Sequence, residues 1–131
     1  MSNSDKTPIL LHPNKREMFF SRGLDLFNDE MFFEAREAWE DLLNLEEGRN
    51  KTFLQGLIYA ADHFEHIQRR NWTGAFSPGE AAREKLKTPP KDATYTRLDI
   101  VPIISGLEYN LELLIKKESG REAYLFPKLL D

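Results

Sequence analysis

The stretch from Lys51 to Arg70 constrains this chain more than any other. Phe53, Leu54, Leu57, Ile58, Ala60, Ala61, Phe64 and Ile67 recur along it at helical spacing. At 100° per residue they cover about half of a helix circumference, wider than the stripe of an ordinary surface helix. Such a helix must sit centrally and touch several neighbours. Gly56, Ala60 and Ala61 are small enough to let those neighbours come close. The rest of the chain has to supply the surrounding elements.

It supplies them as helices. A first helix is predicted from about Asn14 to Phe27, with Phe20, Leu24 and Phe27 on one face and Phe19, Gly23 and Leu26 beside it. Asn28 to Glu30 makes a tight turn, and Asn28 is the expected cap of a second helix over Met31 to Glu46. Gly48 suits a left-handed cap closing that helix. These two form an αα-hairpin. A fourth helix is predicted from Gly74 to Leu86, capped by Asn71, with Pro78 close to its start. The paired prolines of "TPPKDATYT" imply a loop. A fifth helix runs from Val101 to Glu118, its stripe set by Ile103, Ile104, Leu107, Leu111 and Leu114. Lys116 and Lys117 fall in its last turn, where cations suit the helix dipole.

No segment alternates as a strand does. Residues 1–13 are polar, carry two prolines and are expected to form a mobile arm, with Ile9 to Leu11 able to dock on the domain. Residues 14–131 form one domain, and the apolar tail "REAYLFPKLLD" should fold back on it. The expected fold class is therefore all-α: a single compact bundle of about five helices with short connections.

Composition narrows the function classes. Apolar residues make up 40% and charged residues 31% of the 131, enough for one core. The net charge of −4 argues against bulk binding of nucleic acid or of anionic membranes. With no cysteine there is no disulfide, thiolate catalysis or Cys-type zinc site. No run resembles a signal peptide or a membrane span. A soluble, cytoplasmic protein without a cofactor is the expectation.

The chemistry concentrates in "FFEAREAWEDLL", Phe32 to Leu43. Phe32, Ala35, Trp39, Leu42 and Leu43 form an apolar arc, with Phe33 about 100° away. Arg36 and Glu40 lie in the gap, four residues apart and able to pair. Glu37 falls just beyond. In the next helix Gln55, Tyr59, Asp62 and His66 share one side. If that side faces the second helix, Gln55 and His66 approach Glu37 and Glu40; if it faces water, it is a wet helix surface. The plain reading of Arg36 and Glu40 is a half-buried ion pair. The sharper one is a ligand or acid–base site. Metal binding fits poorly: no Glu-x-x-His pair occurs, and Arg36 would set a fixed cation beside the ligands. No phosphate loop, nucleophile elbow or Ser-His-Asp signature is present.

These parts together resemble a known family, the bacterial and archaeal domain of unknown function family 309 (DUF309). The residues that carry the resemblance are "GLDLFNDEMFFEAREAWEDLL", "FLQGLIYAADHFEHIQRRNWTGA", Lys85-Leu86 and Leu98 to Ile100. It spans roughly Phe19 to Leu114. It implies a small all-helical bundle and no established activity. Carried over by position, the family's polar cluster falls on Arg36, Glu37, Glu40, Gln55 and His66. The chain departs from the pattern at Arg36, where the family has His. Arg stays charged and does not ligate a metal as His does. It can hold a carboxylate or an anion.

Two functions follow as expectations. The first is a non-catalytic module that associates with another protein or with its own copy through apolar surface at Trp72, Tyr124 or Phe126. The second is an anion-binding or enzymatic site where Arg36, Glu40 and His66 converge.

Overall fold

The computed structural model describes residues 13–130. The expected arm lies outside them apart from Pro13, which begins the first helix. The helices are α1 (Pro13–Asn28), α2 (Phe32–Leu43), α3 (Gly48–Gln68), α4 (Trp72–Lys85), the short α5 (Ala93–Thr96) and α6 (Val101–Ile115), followed by a 3-10 turn at Arg121–Ala123. The five long helices are those expected from the sequence. An isolated antiparallel bridge between Asp99 and Leu130 is the β-type pairing among the described residues.

The helix over Lys51 to Arg70 is central, as its wide stripe requires. Phe53, Leu54, Leu57, Ala60, Ala61, Phe64 and Ile67 on α3 are all essentially inaccessible. α3 packs on α2 and α4; α1 packs on α2, and α6 on α4. At Gly56 the small side lets Leu86 approach so closely that a Cβ would lie 2.8 Å from it. Between α1 and α2, Gly23 leaves room for the Trp39 indole, whose Nε1–H donates to the Phe20 carbonyl at 3.2 Å. Phe20, Phe27, Phe32, Trp39 and Phe64 then meet ring to ring, with edge-on pairs such as Phe27–Phe32 at 5.0 Å.

Several local expectations need correction. Asn28 does not cap α2. Its side chain donates to the Leu129 carbonyl at 2.9 Å and accepts from the Leu129 amide at 2.8 Å, tying the tail to the hairpin. Gly48 has the left-handed φ of +62° but opens α3 instead of closing α2, which stops at Leu43 so that Glu46 can turn inward. α4 starts at Trp72, two residues early, so Pro78 lies in its second turn. The loop after Pro90 contains α5, capped by Asp92 on Thr94. α6 ends at Ile115, and Lys116 and Lys117 follow it. Asn71 does cap α4, accepting from the Gly74 amide at 3.1 Å. The tail does fold back: Tyr124 and Leu129 are buried, and Pro127 covers Gly106.

Two buried polar clusters lock this arrangement. Arg16 of α1 donates to Glu46 at 2.6 and 3.2 Å and to Asp92 at 2.8 Å, while the Tyr95 hydroxyl donates to the same Glu46 carboxylate at 2.5 Å. In the other, His63 of α3 bonds the Ala75 carbonyl of α4 through Nδ1 at 2.8 Å. A carbonyl only accepts, so Nδ1 carries the proton and Nε2 accepts from Asn110 of α6 at 3.2 Å. Asn110 also exchanges hydrogen bonds with the backbone of Leu125.

Candidate functional site

The polar side of α3 faces α2, which the sequence left open. Arg36 therefore reaches across to α3, not along its own helix. Its Nη1 donates to Asp62 at 2.7 Å and its Nη2 lies 3.4 Å from Glu65. The expected pair with Glu40 does not form. The reason is geometric: two carboxylates on α3 stand opposite Arg36, and the guanidinium meets them in a half-buried setting where pairing is worth more. Phe33, one turn back, lies under the cation at 5.4 Å.

The network continues along α3. Arg69 closes on Glu65 at 3.1 Å, and His66 Nε2 lies 3.6 Å from Asp62. Asn71 donates to His66 Nδ1 at 3.0 Å, which leaves the Nε2 position for the ring proton. Two arginines thus face two carboxylates. Arg36 Nε is buried without a hydrogen-bond partner.

The predicted residues are only partly brought together. Arg36 and His66 share this network through Asp62. Glu40 is exposed and lines a neighbouring groove of about 240 Å³ with Arg36, Gln55 and Tyr59. Gln55 accepts from Lys85 Nζ at 3.0 Å, so it is engaged with α4. Glu37 points to the other side of α2, toward α1. His66 lines a second groove, also about 240 Å³, on the far side of the Arg36–Asp62 bridge. Glu40 and His66 do not face a common cavity. Asp62 and Glu65 are the residues that sequence reasoning left out of the cluster. Asp62 stood on the same polar line as His66, and the need of Arg36 for a partner across the helix pair was the available signal. Among the described residues no three His, Asp or Glu side chains gather as a metal site.

Aromatic surface also differs from expectation. Tyr124 is buried, its hydroxyl donating to the Glu118 carbonyl at 2.6 Å, and Phe126 packs on the core. Trp72 stacks on Tyr124 with centroids 5.2 Å apart. Its other side borders an open groove of about 490 Å³ with Phe76, Leu114 and Ile115. Ile115 is 65% exposed. Among the described residues no helix is long and apolar enough to cross a membrane.

The model of the family described as Domain of unknown function (DUF309) matches residues 20–77, confirming over that span the resemblance carried by the motifs. The match covers the second half of α1, the whole of α2 and α3, and the start of α4. The Arg36–Asp62–His66 network lies inside it. No curated protein and no solved structure matches the chain.

Proposed function

We propose that this chain, which carries a DUF309 domain, is a non-catalytic helical module that associates with another protein or a second copy. The observation that carries this reading is the groove between α4 and α6. Trp72, Phe76, Leu114 and Ile115 leave apolar surface open there, on rigid elements, with the indole braced from behind by Tyr124. A braced Trp beside exposed aliphatic side chains is the composition of an association surface. The charged network between α2 and α3, by contrast, already sets Asp62 and Glu65 against Arg36 and Arg69. A cytoplasmic location belongs to the same reading, supported by an acidic chain without cysteine.

The test is site-specific photocrosslinking in the native cell. A photoreactive residue at Ile115 should give a discrete protein adduct, and the same residue at exposed Glu108 on the same helix should not. The adduct's mass distinguishes a second copy from another protein. Equal labelling at both positions, or none at either, removes the reading.

The alternative places an anion-binding or enzymatic function at Arg36, Glu37, Glu40, Gln55 and His66. The unmatched Arg36 Nε favours it. Two carboxylates already facing the guanidinium, and the separation of Glu40 from His66, weigh against it. A ligand competing for Arg36 would raise the melting temperature of the chain and not that of Arg36→Met. A panel of small carboxylates and phosphates screened by melting would detect one.

A further inference from the structure

The hairpin of α1 and α2 has a second side, facing away from α3. There a groove of about 620 Å³ runs between the two helices. Phe19 and Leu26 form its floor, half-buried against the core, and Met31, 43% exposed, closes one end. Among the described residues no helix lies in it.

The wall supplied by α2 is acidic, and its carboxylates outnumber the cations beside it on α1, where Arg22 lines the groove and Lys15 lies 5.9 Å over the Phe19 ring. Glu34, Glu37 and Asp41 stand at helical spacing, so they line one edge of the groove. Glu46 and Asp92 hold Arg16, and Asp62 and Glu65 hold Arg36, whereas Glu34, Glu37 and Asp41 line the open groove. These three have neither ion pair nor hydrogen bond among the described residues. An apolar floor beside an unmatched row of carboxylates is complementary to an object apolar on one face and cationic on its flank. A groove between two antiparallel helices has the shape that receives a third helix.

We propose that the α1–α2 groove docks a cationic amphipathic helix of a partner protein. Its aliphatic side chains lie on Phe19 and Leu26, and its Lys or Arg side chains meet Glu34, Glu37 and Asp41. The inference rests on the reading of the chain as an association module and adds a second face and the chemistry of what it takes.

The probe is a fluorescein-labelled amphipathic helix of leucine and lysine, about 18 residues or five turns long, titrated with the full chain and followed by anisotropy. A leucine–glutamate peptide of the same pattern is its counterpart. The leucine–lysine peptide should bind at physiological salt and the leucine–glutamate peptide should not. Neutralising the wall with E34Q, E37Q and D41N together should weaken binding by roughly tenfold, since complementary charge lines the contact. Neutralising exposed Glu80, Glu108 and Glu112 makes the same change in net charge elsewhere and should alter it less than about twofold, because salt screens distant charge. Met31→Ser should weaken binding with the charge untouched. Equal loss from both triple variants would mean diffuse attraction to an acidic protein and would overturn the docking site, as would no binding at all. Either result leaves the Ile115 crosslinking outcome standing, so failure here is separable from failure of the association reading.

Discussion

At the scale of single residues, Arg36 shows what a helical wheel can and cannot see. The wheel correctly put a cation in a half-buried position that needed a carboxylate. It named Glu40 because a wheel contains only one helix. The partner came from α3, 26 residues away, at 2.7 Å. The consequence is measurable. Asp62→Asn should lower unfolding free energy by about 1 kcal/mol, the pair being partly exposed, while Glu40→Gln should fall within about 0.5 kcal/mol of wild type. Urea denaturation of both variants checks the order, and a larger loss from Glu40→Gln would contradict the cross-helix pairing. His63 joins three helices, bonding the Ala75 carbonyl of α4 and Asn110 of α6 from its place on α3. Burial pushes its imidazole from 6.5 down to about 4, against the opposing hydrogen bond to Ala75, with His66 nearby adding to the depression. The folded state therefore resists a proton that the unfolded chain accepts. The associated stability is complete above pH 6.5, is lost as pH falls through the interval to 4, and levels off below it. That gap corresponds to at most about 3 kcal/mol. Stability measured from pH 7.5 to 4 should carry this slope, and His63→Gln should flatten it relative to wild type.

At the scale of elements, helix existence was legible and helix ends were not. Periodicity located all five long helices because each buries one face. Ends are set by one or two backbone angles, and here those angles occur on unexpected residues. α1, α3 and α6 are each followed by a left-handed residue that is not glycine: Glu30, Arg70 and Lys117, with φ near 60°. In each case the next amide bonds back five residues, Met31 to Leu26, Asn71 to His66 and Glu118 to Leu113. This is the Schellman closure, usually signalled by glycine. A search for glycine passes over all three and stops instead at Gly48, which begins a helix. The arrangement has an energetic corollary. A side chain in this conformation costs about 1 kcal/mol that glycine avoids. Arg70→Gly and Lys117→Gly replace exposed side chains, so each should stabilise the protein by about 0.5–1 kcal/mol, offset in part by a more flexible unfolded chain. Thermal melts would show a rise for each.

At the scale of the whole molecule, the fold class followed from one wide apolar stripe, while the polar interior did not. The central helix, the hairpin, the returning tail and the aromatic core all derive from apolar pattern, which is local and periodic. The Arg16–Glu46–Asp92–Tyr95 cluster derives from pairing across as many as 76 residues, and nothing in the sequence near Arg16 distinguishes it from a surface arginine. Yet this cluster decides how α1, the α2–α3 turn and α5 sit together. Burial and the Glu46 carboxylate both push the Tyr95 hydroxyl up, so it stays a donor at every ordinary pH. Glu46 is 6% exposed and takes both Arg16 and Tyr95. Breaking such a buried pair strands a charge, unlike the Arg36–Asp62 pair, which water can reach. Arg16→Met should therefore cost about 3 kcal/mol or more. Glu46→Gln should cost less, because its amide oxygen can still accept and it leaves Arg16 with Asp92. If the cluster binds the bundle into one cooperative unit, the loss in Arg16→Met should appear as a lower midpoint with tryptophan fluorescence and far-ultraviolet circular dichroism still coincident. Transitions that separate would show instead that α1 and α5 detach before the core of α2, α3 and α4 unfolds, and the cluster would then be a clasp on a smaller cooperative unit.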